Sequence, residues 1–295
     1  MKKIILLTLI FSVLGLSLFF VYKRQVVNVN SQKLQITASF YPYYFFASEI
    51  GGDKVQVVNI TPAGAEPHDY ELSSGDIVQI ENSKLLILNG IVEPWGADIQ
   101  KNLEGKNTEI IIAGQGLFNY SADPHVWVSI RLAEKQVATI LNEIVQIDPG
   151  NASYYKENAN KLLSDLNNLD QDYKNGLSNC QKKDIVTSHA AFGYLASDYG
   201  LTQIPIAGLS PDTEPSLEQL ANITNFVRKN NIKYIFFESL VSPKLAETIA
   251  KETGAKTLVL DPLEGLTPDA LSKGENYLTV MEENLHNLRV ALECK

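Results

Sequence analysis

Short apolar runs alternate with amphipathic stretches along the chain. Leu34 to Phe40 (LQITASF) has the period-two pattern of a strand, and Val55 to Ile60 supplies a second. Lys84 to Leu88 (KLLIL) is continuously apolar, the kind of strand covered on both faces in a parallel sheet. Glu109 to Ala113 completes this first set, and the stretches from Pro42 to Ile50, Ser73 to Ile80 and Glu93 to Leu103 read as the helices between them. The alternation returns later, with predicted strands at Asp184 to Thr187, Gln203 to Ile206, Lys233 to Phe237 (KYIFF) and Lys256 to Leu260 (KTLVL). Helices are predicted there at Ala190 to Tyr199, Ser216 to Asn230, Pro243 to Thr253 and Leu271 to Leu292. Strand and helix in alternation predict an α/β fold.

Two helical stretches stand between these halves. Arg131 to Ile147 is amphipathic, and Asp148-Pro149-Gly150 interrupts it before Ala152 to Leu177. In the second stretch Leu162, Leu163, Leu166, Leu169, Tyr173 and Leu177 recur at three- and four-residue spacings, the stripe of a helix packed on one side. Such a helix is roughly 40 Å long, the width of a small domain, and reads as a spine between two halves. The predicted division is a segment 1–30, an N-terminal α/β lobe 31–148, a linker helix 149–179 and a C-terminal α/β lobe 180–295.

The N-terminal segment sets the compartment. Met1-Lys2-Lys3 precedes an uncharged run from Ile4 to Tyr22, closed by Lys23 and Arg24. The run approaches the length of a membrane-crossing helix, and no clear small-residue cleavage site follows it. A cleaved signal peptide and an uncleaved anchor both stay open, and both place the remainder outside the cytoplasm. No cysteine near its end offers a lipid anchor. Cys180 and Cys294 are the two cysteines, too few for a thiolate zinc site; an exported chain can keep them as a disulfide. With 295 residues, 45% hydrophobic and 20% charged, there is material for a large core. The net charge of −9 argues against nucleic acid as a partner.

Candidate chemistry centres on the four histidines. His68 stands in EPHDY, His125 in DPHVW and His189 in TSHAAF, each in a loop or at the carboxyl end of a predicted strand. His286 lies mid-helix and reads as part of a solvated face. Ligands of open α/β sheets bind outside the carboxyl ends of the strands, where distant segments meet. Asp261, directly after KTLVL, has the same setting. Three imidazoles and one carboxylate suit a four-coordinate zinc ion. Glu66 and Glu238 are candidates for supporting roles, since ligating histidines usually donate their second ring nitrogen to such a group.

These residues lie in a longer pattern: SFYPYYFFA from Ser39, PAGAEPHDYELS from Pro62, NGIVEPW from Asn89, DPHVW from Asp123, SHAAFGYLA from Ser188, AGLSPDTEPS from Ala207, IFFE from Ile235 and LDPLEGL from Leu260. In this order the pattern resembles the ZnuA/TroA-like zinc- and manganese-binding solute-binding proteins of ABC transporters, from about Leu34 to the last helix. The resemblance implies two lobes with parallel sheets flanked by helices, joined by a single long α-helix, with the metal site in the cleft between them. It also implies that the family's metal ligands fall on His68, His125, His189 and Asp261. A histidine at the third position is the zinc-type arrangement, whereas a second carboxylate there suits manganese. Two departures stand out. The segment Gly116 to Ala122 is short and lacks the extra histidines of many zinc-type members, and Val128-Ser129-Ile130 replaces the usual continuation after DPHVW.

The expected role is capture of Zn2+ outside the cytoplasm and delivery to the membrane subunit of an ABC permease, by a monomer and without covalent chemistry. A manganese-specific protein of the same family, a zinc-dependent hydrolase and a surface adhesin are the alternatives. A catalytic zinc keeps an open position for water, which a fourth protein ligand would close.

Overall fold

The computed structural model describes residues 33–118 and 123–295. The N-terminal run expected to export or anchor the chain lies outside the described residues, as do residues 119–122 of the short segment before His125. Among the described residues no helix is long and apolar enough to cross a membrane.

The first sheet contains β1 (Leu34–Ala38), β2 (Val55–Asn59), β3 (Leu85–Leu88) and β4 (Glu109–Ile112), all parallel in the order β2-β1-β3-β4. Leu34 pairs with Val55, Ile36 with Leu85, and Leu85 with Glu109. Its crossovers run through α1 (Tyr41–Gly51), α2 (Ser74–Asn82) and α3 (Gly96–Asn102). All four residues of β3 are buried, as a central parallel strand covered by helices on both faces requires. Ser73 caps α2 in a reciprocal box with Asp76, which fixes where the loop carrying His68 gives way to helix.

Next come α4 (Ile130–Ile147) and α5 (Ala152–Leu177), then the second sheet. Its strands β5 (Asp184–Thr187), β6 (Thr202–Pro205), β7 (Tyr234–Phe237) and β8 (Lys256–Val259) are again parallel, in the equivalent order β6-β5-β7-β8. The remaining helices are α6 (Gly193–Tyr199), α7 (Leu217–Lys229), α8 (Lys244–Thr253), α9 (Pro268–Ser272) and α10 (Tyr277–Ala291). The architecture is two parallel-sheet α/β lobes linked by the long helix α5.

The apolar stripe of α5 explains why the lobes hold together. Tyr155, Ala159, Leu162, Leu166, Leu169, Tyr173 and Leu177 are all buried. They belong to one cluster that includes Phe46 and Trp127 from the first half and Ile185, Leu195 and Met281 from the second. Leu34–Lys295 is accordingly one compact unit. Hydrogen bonds cross the same seam: the Trp127 indole donates to the Pro262 carbonyl at 2.7 Å, and the Tyr277 hydroxyl to the Trp127 carbonyl at 2.6 Å. Cys180, just after α5, is disulfide-bonded to Cys294.

Three helices differ from their expected spans. The predicted helix at Leu271 to Leu292 is two helices, because Gly274 adopts φ 80° and Asn276 opens α10 with a capping box to Thr279. The helix expected from Glu93 begins at Gly96, since the Glu93 carboxylate accepts from the Asn89 and Gly90 amides and holds a loop instead. The helix expected from Ala190 begins at Gly193, because the Ala190 amide donates to the Gly208 carbonyl of the neighbouring loop.

Candidate metal centre

Strand order reverses between β1 and β3 and between β5 and β7, and ligands of open α/β sheets gather at carboxyl ends near such reversals. His68 lies in the loop after β2, His125 after β4, His189 after β5 and Glu264 after β8. Each lobe therefore contributes two of the four.

The loops are held by short local bonds. The His68 amide donates to Glu66 Oε1 at 3.2 Å. Gly64, at φ 85°, approaches the opposite lobe closely enough for its amide to reach the Leu266 carbonyl at 3.0 Å. The His125 amide donates to Asp123 Oδ1 at 3.0 Å, and Asn89 donates to the intervening Pro124 carbonyl at 3.0 Å. The His189 amide donates to Glu238 Oε1 at 3.2 Å, while its carbonyl accepts from Thr187 and Gln203.

Four atoms converge. Glu264 Oε1 lies 3.3 Å from His68 Nε2, 3.2 Å from His125 Nε2 and 3.3 Å from His189 Nε2. His125 Nε2 and His189 Nε2 are 3.3 Å apart, and all four ligand atoms lie within 4.8 Å of one another. A tetrahedral zinc with bonds of about 2.0–2.1 Å would place its ligand atoms about 3.3–3.4 Å apart. The far side of two rings is fixed: Asp123 Oδ1 stands 2.8 Å from His125 Nδ1, and Glu238 Oε1 stands 2.7 Å from His189 Nδ1. A carboxylate at Nδ1 sets the tautomer and leaves the Nε2 lone pair facing the centre. The side chains of His125, His189 and Glu264 are at most 1% exposed, but that of His68 is 10% exposed, so the approach from solvent passes His68.

Charge in the centre follows from this crowding. Burial works against an ionised Glu264, but the nearby His189 and the hydrogen bonds from His125, His189 and His68 outweigh it and hold its carboxyl well below the usual range. Burial likewise opposes a charged His189, yet Glu264 and Glu238 raise it well above the ordinary imidazole value. His125 is raised in the same sense, by Asp123 and Glu264 against its burial. Glu66 is pushed up to about 9 by burial and then by the charge of Glu264.

The loops at the carboxyl ends of the strands carry carboxylates and no lysine or arginine. They carry Glu71, Asp212 and Glu214 on exposed positions. Lys54, Lys84, Lys183 and Lys233 stand at the opposite ends, directly before strands. A cleft lined by one sign of charge concentrates the opposite ion.

His68, His125 and His189 thus come together, and His286 is exposed on α10. The fourth position differs from expectation. Asp261 does not converge with the imidazoles; its Oδ1 accepts from the Leu263 amide at 2.8 Å, and the Ser239 side chain also hydrogen-bonds the carboxylate. Glu264, from the same LDPLEGL stretch, is the carboxylate that converges with them. Asp123 was also missed, although an acid two residues before a histidine is a readable signal for a partner to its ring. Glu66 touches the His68 backbone and Glu238 the His189 ring. The structure places Trp95 and Phe192 in the protein interior.

Known proteins resemble this chain in sequence and fold. The profile of the family described as zinc-uptake complex component A, periplasmic (ZnuA) matches residues 36–291. The high-affinity zinc uptake system protein ZnuA of Bacillus subtilis is 38% identical over 286 residues, 90% of each chain. The zinc-binding protein AdcA of Streptococcus pyogenes serotype M1 is 37% identical over 323 residues, 99% of this chain but 62% of its own length. The Zn(II)-bound ZnuA-like domain of Streptococcus pneumoniae AdcA superposes with a TM-score of 0.80 at 41% identity, covering 89% of this chain and 100% of that one.

Proposed function

Because the chain belongs to the zinc-uptake complex component A family, we propose that it is the extracytoplasmic binding subunit of an ABC importer. It captures one Zn2+ between His68, His125, His189 and Glu264 and hands the ion to a membrane permease. The observation that carries this reading is the separation of 3.2–3.3 Å from Glu264 Oε1 to three imidazole nitrogens, which matches the edge of a zinc tetrahedron.

Capture needs little rearrangement. Glu264 accepts from the imidazoles across separations close to those between ligands of a zinc tetrahedron. The ion enters past His68, drawn by the acidic loops, and replaces the protons shared among the rings and the carboxylate. The continuous core through α5 opposes wide opening of the lobes, so binding is a local exchange of protons for metal. Three imidazoles favour zinc over the harder manganese ion, which prefers oxygen ligands. Four converging protein ligands leave no position for a catalytic water, in keeping with a solute-binding family rather than a hydrolase. The protein acts as a monomer, and the apolar run from Ile4 to Tyr22 takes it out of the cytoplasm.

Uptake of radiolabelled zinc by cells lacking this gene tests the role. Restoration by the wild-type chain, and failure with His68→Ala/His189→Ala, is the expected outcome. Equal restoration by both chains would rule the reading out.

A further inference from the structure

We infer that Asp261 is a positioning residue for Glu264, acting through the strained turn between them. The inference rests on the ligand set proposed above.

Leu263 has φ 61°, in the left-handed region that side chains other than glycine, asparagine and aspartate seldom adopt. A leucine stays there only when its surroundings over-determine the conformation. Here they do, from several directions. The Leu263 side chain is fully buried in the main core. Its amide donates to Asp261 Oδ1 at 2.8 Å. Asp261 is clamped in turn: its amide donates to Asn284 Oδ1 at 2.8 Å, and Asn284 Nδ2 donates to the Asp261 carbonyl at 2.7 Å. The Ser239 side chain also hydrogen-bonds the Asp261 carboxylate. Pro262, between them, is held from the other lobe by the Trp127 indole at 2.7 Å. Trp127 follows His125 by two residues, so one strap aligns the ligand loops of both lobes.

The conformation of Leu263 decides where the next residue points. With Leu263 left-handed, Glu264 Oε1 sits at nearly equal distance from three imidazoles. If Leu263 relaxed to an ordinary backbone conformation, Glu264 would turn away from them. Asp261 thus serves the centre without touching the ion, which also explains why an acid in so ligand-like a place stands outside the converging set.

The test is a double-mutant cycle on the purified full-length chain, with zinc affinity read by chelator competition. Glu264→Ala should weaken binding strongly. Asp261→Ala should weaken it about tenfold to a hundredfold, the usual effect of losing a group that orients a ligand. Adding Asp261→Ala to Glu264→Ala should cause no further loss, because the only route by which Asp261 acts is already gone. Asp261→Asn, which keeps an acceptor oxygen, should recover most of the affinity. With cobalt as the probe, Asp261→Ala should shift the visible spectrum toward that of Glu264→Ala. If Asp261→Ala does not fold, Ser239→Ala, which removes one hydrogen bond to the Asp261 carboxylate, carries the same comparison. Full additivity of the two losses, or wild-type affinity in Asp261→Ala beside a weakened Glu264→Ala, would overturn the inference. Wild-type affinity in Glu264→Ala would instead remove the ligand set, and the inference with it.

Discussion

His125 and His189 face each other with their Nε2 atoms 3.3 Å apart, though they are 64 residues apart in the chain and leave sheets in different lobes. Two imidazoles at that separation need something positive between their lone pairs, a proton or a metal.

Loss of either ring should therefore cost a full ligand. Structural zinc sites bind with about 10–16 kcal/mol, so one ligand of four is worth roughly 3–4 kcal/mol, a hundredfold to a thousandfold in affinity. Competition titrations of His125→Ala and His189→Ala should show losses of this size. His286→Ala, exposed on α10, should bind as the wild type does.

Proton competition gives a second prediction. Zinc takes the neutral imidazole, while the metal-free protein holds protons on His189 and His125, both raised above the ordinary value. Acid therefore favours the metal-free form, and competition begins at a higher pH than for a free imidazole near 6.5. Apparent affinity should fall as the pH is lowered from above neutrality, and calorimetry in buffers of different ionisation enthalpy should show protons released on binding. Affinity that does not change between about pH 6 and 8 would contradict this.

Glu238 links the two effects. It pairs with His189 Nδ1 at 2.7 Å and helps to raise that ring. Glu238→Ala should weaken zinc about tenfold to a hundredfold through the freed ring. It should also move the pH dependence of binding to lower pH, because His189 then gives up its proton more readily. The pH profile separates this from a simple loss of stability.

The disulfide should matter to the fold and not to the centre. Cys180 and Cys294 are 114 residues apart in sequence, a loop for which the chain-entropy account gives about 4–5 kcal/mol. Cys180 lies before β5, at the edge opposite the ligand loops. Cys180→Ser/Cys294→Ser should lower unfolding stability by about 2–5 kcal/mol in denaturant titrations and leave zinc affinity unchanged.

Much of the fold could be read from local pattern. KLLIL is a buried parallel strand because nothing but a covered sheet accommodates such a run, KTLVL is a partly buried strand at the edge of its sheet, and the stripe from Leu162 to Leu177 defines α5. Breaks inside helices were harder, since Gly274 interrupts a pattern that stays amphipathic on both sides. The convergence of His68, His125 and His189 was legible because each lies in a loop between a strand and the next helix. The fourth member of the cluster was not: Asp261 and Glu264 both follow β8, and with Leu263 left-handed it is Glu264 that faces the imidazoles. Leucine gives no hint of that conformation, which depends on Asn284 and Trp127 from distant parts of the chain.

The central claim is most directly tested by competitive titration of the metal-free protein with zinc and manganese, with His189→Glu alongside. One tightly held zinc per chain that excess manganese does not displace is the expected result, with a shift of preference toward manganese in His189→Glu. Wild-type protein that takes manganese in preference to zinc, or binds neither ion at one per chain, would contradict it.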